Sequence, residues 1–398
     1  MKKILILLLP LFLVTGCYNY QELNKLGIIT ATEIDKINDE FVITVQIVNP
    51  KKQTDASSSN QPAFITYSST GRTVHEAYRN LIQKTSRKIY GTHMQILIIK
   101  ENLARNDLKS IFDFYFRNIE IRKEFYVLVD TTKNEDLPEN KSLLDILTPL
   151  TNLSSQNIVD TLLSDNKYIS VSNLVTFNEL MDSYLDEHKE ILLPTIMVCG
   201  DIDYGNEKEN LGKTNSTTDI EIGNMAIFKD NKMIGILSKD ESITSNLINN
   251  TAKEILMNFK CDNEKYASAK VIISKTDVKI NEKEYSVDIK IKGVADLTEY
   301  SCNDDLDSTK VVSETNDKLN EHFVNTIKDN IKNINELYNS DIYGFRDMVY
   351  KKKLSFYNTI KDDYYKNFFD KLSYNVTAEI RLVSKGNLNG GTYENDKD

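Results

Sequence analysis

The chain has 398 residues, 40% hydrophobic and 27% charged, which excludes a disordered tail protein and leaves room for two or three domains. With 14 Gly and 6 Pro it is not collagen-like or of low complexity. Its 49 Lys and Arg against 59 Asp and Glu give a net charge of −10, which offers no global attraction to nucleic acid or anionic lipid but leaves a local basic patch open.

Residues 1–16 read MKKILILLLPLFLVTG. Lys2 and Lys3 form a positive start, and Ile4 to Val14 form an apolar run. A bilayer-spanning helix needs about 20 apolar residues, so this shorter run is expected to be a cleaved export signal. Val14-Thr15-Gly16-Cys17 has the lipobox order of aliphatic residue, small or polar residue, Gly and Cys. A thiol takes the diacylglyceryl group as a thioether, and a small neighbour admits the peptidase. Cys17 is therefore the expected lipid attachment site, as an S-diacylglycerol cysteine that is also N-acylated. Two or more chains hold a protein on a membrane without a span. Apolar patterning resumes near Leu23, so the folded body is expected close to the bilayer.

Residues 26–49 hold two β-rich runs around a turn at Lys36–Asp39, and Phe41, Ile43, Val45 and Ile47 alternate, which predicts a hairpin. Residues 51–62 read as a polar surface loop. Thr73 with Glu76 predicts a helix start, followed by the apolar stripe Val74, Ala77, Leu81 and Ile82. Met94–Ile99 predicts a buried strand, Asp107–Asn118 a helix, and Phe125–Val129 another strand. This alternation predicts parallel strands with helices packed on them. A polar segment at 134–141 marks a domain boundary, and 142–190 reads as mostly helical. Leu192–Val198 reads as a strand that Pro194 places at an edge or at its own start. Residues 201–219 read as an exposed loop, followed by a hairpin across Asp230–Lys232.

Farther on, Lys270–Ile273, Asp277–Ile280 and Tyr285–Ala295 read as β-rich runs. Leu319, Phe323, Ile327, Ile331, Ile334 and Tyr338 share one helical face. Phe356, Ile360, Tyr364, Phe368 and Leu372 predict a second helix, and Val376–Leu382 a last strand. The pattern divides the folded chain into segments at 17–133, 134–245 and 246–385. They follow the signal at 1–16 and precede a polar, disordered tail at 386–398.

Catalytic chemistry has little support. His75, His93, His188 and His322 lack metal-ligand spacing. Ser164-Asp-Asn-Lys167 folds two hydrolase motifs into one tetrapeptide and cannot serve both. Glu33 and Asp35 share a strand face, where paired carboxylates can do acid–base work, but a solvated face is the reading adopted. Cys261 and Cys302 could pair, although free, partly buried thiols are preferred. No enzyme activity, cofactor, metal or nucleic acid is expected.

The residues resemble the Ger(x)C family, lipoprotein C subunits of spore germinant receptors. The resemblance runs through Gly16-Cys17-Tyr18, Glu22-Leu23 and Ile34-Asp35-Lys36. It continues in Gly71-Arg72-Thr73, in Ser86-Arg87-Lys88 to Tyr90 with His93, and in Arg117 with Glu120-Ile121-Arg122. Ala226-Ile-Phe228-Lys229 with Gly235, and Asp341-Ile-Tyr-Gly344-Phe345, complete it. Tyr18 stands where the family has Trp, and the Trp before its Gly-His pair is absent. The resemblance implies an α+β fold of three small mixed domains, each a sheet packed with helices. It also implies a lipid-anchored, non-catalytic subunit on the outer face of the spore inner membrane, with membrane-embedded A and B subunits as partners. The candidate partner contacts are Arg72, Ser86, Arg87, Lys88 and His93. The alternative reading is a lipoprotein that binds a solute for a membrane transporter.

Overall fold

The computed structural model describes residues 25–48, 64–85, 87–106, 108–133, 142–147, 155–201, 218–262, 264–302, 304 and 306–384. The signal, Cys17, Ser86, the loop at 51–62 and the tail at 386–398 lie outside the described residues, as does most of 201–219.

Strands β1 (Leu26–Ile37) and β2 (Glu40–Val48) form the expected hairpin. Asn38 and Asp39 supply the two left-handed residues its turn needs (φ 50° and 65°). There follow β3 (Phe64–Gly71), α1 (Val74–Thr85), β4 (Lys88–Tyr90), β5 (Ile96–Lys100), α2 (Glu101–Asn106), α3 (Lys109–Arg117) and β6 (Tyr126–Asp130). Next come α4 (Leu143–Leu147), α5 (Ser155–Tyr168), α6 (Phe177–Leu185), β7 (Leu192–Gly200), β8 (Thr218–Lys229) and β9 (Lys232–Ile236). One nine-stranded sheet runs β3-β2-β1-β5-β6-β7-β8-β9, with β4 beside the start of β1. Strands β1, β5, β6 and β7 are parallel, as the strand–helix alternation predicts. The segment 134–141 falls between β6 and β7, neighbours in this sheet.

Helices cover both faces. On one, α1, α2, α3 and α6 pack around Phe112, Tyr115, Phe125 and Phe177. On the other, Leu144 of α4 and Ile158 of α5 meet Ile98 and Leu128. Pro194 corrects an expectation: it sits inside β7, between β6 and β8, rather than at an edge or a strand start. The sheet tolerates it because β7 meets β6 only at Thr195 and Ile196, and its register with β8 shifts between Pro194 and Ile196.

The remaining chain forms α7 (Lys239–Ile248), β10 (Glu254–Lys260), β11 (Tyr266–Asn281), β12 (Ser286–Tyr300), α8 (Thr309–Tyr338), α9 (Phe345–Lys352), α10 (Leu354–Ile360), α11 (Tyr364–Asn367) and β13 (Ser373–Ser384). Its four-stranded sheet is ordered β10-β11-β12-β13, with β13 parallel to β12. The stripe of α8 from Leu319 to Ile334 is buried against this sheet. The two runs read at 270–280 are one strand, β11, with an irregularity between Ile273 and Lys275. The second helix read through Phe356–Leu372 is broken. The Asp363 carboxylate accepts the Lys366 N–H at 3.3 Å and starts a new turn, and Phe368 leaves the helical region (φ −139°). Ile360, Tyr364 and Phe368 nonetheless all reach the core.

Cys261 and Cys302 form a disulfide with Cα atoms 6.2 Å apart, which corrects the reading as free thiols. Strands β10 and β12 flank β11 and end side by side, which brings the two sulfurs together. Both cysteines are buried.

Strand β8 belongs to two cores. Ala226 and Phe228 face the first core, whereas Met225 and Ile227 face the second. The second half grips the first at further points: the Tyr338 hydroxyl donates to the Ile236 carbonyl (2.9 Å), and the Tyr365 hydroxyl donates to the Glu190 carboxylate (2.9 Å).

Candidate interaction groove

The β3–α1 junction begins the site. A side chain at Gly71 would collide with the backbone nitrogen of Ala77, so only glycine lets strand and helix approach this closely. Gly71→Ala is expected to lower stability by about 1–3 kcal/mol, because backbone rather than a flexible side chain must give way. Thermal melting checks this, and an unchanged midpoint would contradict the close approach. After Gly71, the Arg72 N–H donates to the Glu76 carboxylate (2.8 Å), and Thr73 Oγ1 accepts the Glu76 N–H (3.0 Å). These bonds fix the first turn of α1 and leave the Arg72 side chain exposed.

Helices α1 and α3, strand β4 and the turn at 118–121 enclose a groove of about 920 Å³. Its apolar floor includes Val74, Tyr78, Ile89 and Phe114, with the Tyr78 and Phe114 rings 5.3 Å apart. Burial pushes the Tyr78 phenol above its ordinary range, so it stays neutral. Its walls carry five cations, Arg72, Arg79, Lys88, Lys109 and Arg117, against two carboxylates, Asp113 and Glu120. Arg117 pairs with Asp113 (2.7 Å) and Lys88 with Glu120 (3.3 Å). Arg79 Nε donates to His75 Nε2 at 3.3 Å. On a chain of net charge −10, this is a local reversal of sign.

Of the candidate contacts, Arg72 and Lys88 line the groove. Arg87 is half-buried in the turn before β4, and His93 is exposed with its ring 6.3 Å from Tyr90; neither lines the groove. Arg79 and Lys109 were not singled out in the sequence, because a cation on a polar helix face looks the same whether it borders a groove or open solvent.

Glu33 corrects a further expectation. It is buried, not on a solvated face. Lys100 Nζ lies 3.3 Å from Glu33 and is also paired with Asp130, which is buried as well. The Ser142 hydroxyl and the Leu144 N–H both donate to the second Glu33 oxygen, which ties α4 to the sheet. Burial raises the Glu33 carboxyl above its ordinary range; Lys100 opposes the shift and Asp130 adds to it. Among the described residues, no group of three or more His, Cys, Asp or Glu is arranged to hold a metal ion.

Two family models match the chain. The spore germination protein N-terminal domain covers residues 19–198, and the spore germination B3/GerAC-like C-terminal domain covers residues 223–386. The chain belongs to the GerAC spore germination family. Spore germination protein KC of Bacillus subtilis (strain 168) is 26% identical over 99% of this chain and 98% of its own. Spore germination protein A3 of the same organism is 22% identical over 49% of this chain and 50% of its own. A crystal structure of the GerBC protein shares the fold, with a TM-score of 0.51 and 16% identity over 89% of this chain and 97% of that one.

Within this GerAC fold, several of the motifs that carry the family resemblance have structural duties. Gly235 faces the Tyr338 ring, with no space for a side chain. The buried Asp341 carboxylate accepts the N–H groups of Phe345 (3.1 Å) and Arg346 (2.7 Å) and the Tyr364 hydroxyl (2.8 Å), fixing the start of α9. Gly344 beside it is left-handed (φ 70°). The Arg72, Lys88 and Arg117–Ile121 segments differ: their charged side chains converge on the groove.

Proposed function

We propose that the chain is the lipid-anchored, non-catalytic C subunit of a nutrient-germinant receptor. It sits on the outer face of the spore inner membrane, held through Cys17, with two membrane-embedded A and B subunits as partners. The observation that carries this reading is the match of both GerAC-family models, which together span nearly all of the chain after Cys17. The Cys261–Cys302 disulfide favours an oxidising compartment outside the cytoplasm. Among the described residues, no helix is long and apolar enough to cross a membrane, so the lipid at Cys17 is the attachment this reading uses. Arg87 and His93, outside the groove, are the contacts we assign to the membrane-embedded subunits.

Spores deleted for the chain, or carrying Cys17→Ala, are expected to lose the response to at least one class of nutrient. They should still germinate under treatments that bypass receptors. The full chain is expected to co-purify with two membrane proteins, and Arg87→Glu combined with His93→Glu should lower that recovery several-fold without moving the melting midpoint. Normal germination of the deletion strain with every nutrient, together with tight nutrient binding by the chain alone, would replace this reading with solute delivery.

A further inference from the structure

The groove lies where the chain emerges from its anchor. Leu26, the first residue of β1, pairs with Lys88 of the groove wall. Lys88 is bonded to Glu120, and the next residue back, Ile119, forms the rim. Only eight residues lie between Cys17 and Leu26, so over these nine steps this edge stays within about 32 Å of the acyl chains. The same edge exposes two large apolar side chains. Ile119 is 94% and Phe116 61% exposed, flanking Arg117. A protruding isoleucine beside arginines, above a wall of five cations, has the form of a surface that meets lipid: apolar groups enter the interface while cations face headgroups.

We propose that this groove docks on anionic phospholipid headgroups, with Ile119 and Phe116 entering the bilayer interface. The inference rests on the reading of Cys17 as the lipid attachment site. Docking gives the anchored body a fixed orientation, which attachment at a single residue does not. Charge complementarity favours lipid as the occupant. The chain is acidic overall, so an anionic bilayer has no general attraction for it but attracts this basic wall. An acidic segment of a protein partner is the competing occupant, and the experiment separates the two.

The chain has no tryptophan, so Ile119→Trp introduces a single reporter at a position already exposed. The acylated full chain is reconstituted on phosphatidylcholine vesicles and on vesicles that also contain phosphatidylglycerol. Ile119→Trp emission is expected to shift to the blue only with phosphatidylglycerol. Adding Arg72→Glu and Lys109→Glu should remove most of the shift, as should about 1 M salt, where charges are screened within about 3 Å. Leu337→Trp, exposed on α8, should not shift. Equal emission on both vesicles, or equal shifts at 119 and 337, would overturn docking while leaving the Cys17 reading intact. A shift seen only when membrane subunits are co-reconstituted would overturn it in favour of a protein occupant. Failure of the chain to sediment with either vesicle would remove both readings.

Discussion

Lys100→Met is expected to lower stability by about 3–5 kcal/mol at neutral pH, the cost of leaving buried carboxylates without their cation. Among the described residues, Lys100 is the cation paired with both Glu33 and Asp130, and both carboxylates are almost fully enclosed. Burial disfavours the lysine charge, but the two carboxylates outweigh it and raise its pKa above the ordinary lysine range. Its charge, and the stability that depends on it, are therefore fully present at neutral pH. Glu33 shifts upward too, so it binds its proton more tightly in the folded chain than in the unfolded one. A group of this kind favours folding below its ordinary value and loses that contribution as pH rises through its folded value. In the variant a proton can partly replace the missing ammonium, so the deficit should shrink as pH falls from neutral toward the ordinary Glu range. Denaturant midpoints of both chains across that range check this. A deficit below about 1 kcal/mol at neutral pH, or one that grows toward acid, would mean that water already reaches the three groups.

Cys302→Ser is expected to lower stability by about 2–4 kcal/mol. The bond closes a loop with a sequence separation of 41, whose chain entropy alone is worth about 4 kcal/mol. The melting midpoint should fall by roughly 3–5 °C, and the unmodified chain should fall to match it in reductant. On the reading that Cys17 is acylated, the denatured chain should titrate one thiol, Cys199, since Cys261 and Cys302 are bonded. In the folded chain that thiol is a weak nucleophile: partial burial raises its pKa, and Glu221, 3.5 Å away, adds to the effect. Three titratable thiols, or melting indifferent to reductant, would show that the bond does not form.

Alternation made much of the fold legible. Phe41 to Ile47 announced a strand, and Asn38-Asp39 is a pair that tolerates the left-handed region. The α8 stripe was equally clear, because a helix of this length repeats its pattern many times. Where the reading failed, the pattern was degenerate. Phe356 to Leu372 keeps a spacing of four whether the chain runs as one helix or restarts at Asp363, since the core on that side accepts rings from either. Glu33 could not be placed by pattern, because a charge on a strand reads as solvated until Lys100 and Asp130 are brought beside it by the order β1-β5-β6. Four of the groove's five cations, at 72, 88, 109 and 117, lie on three stretches of chain, and their meeting depends on β4 pairing with the start of β1. The disulfide likewise waits on sheet order, which cysteine spacing does not encode.

The sharing of β8 between two cores has a mechanical consequence. Bending the molecule at its middle would draw either Ala226 and Phe228 or Met225 and Ile227 out of their packing. Each large side chain so exposed costs about 1.5–3 kcal/mol. A hinge at this strand is therefore stiff, and a torque applied at the β4 edge reaches α8 and β13 almost undiminished. The body behaves as a lever of fixed shape: a small tilt at one end becomes a larger displacement at the other.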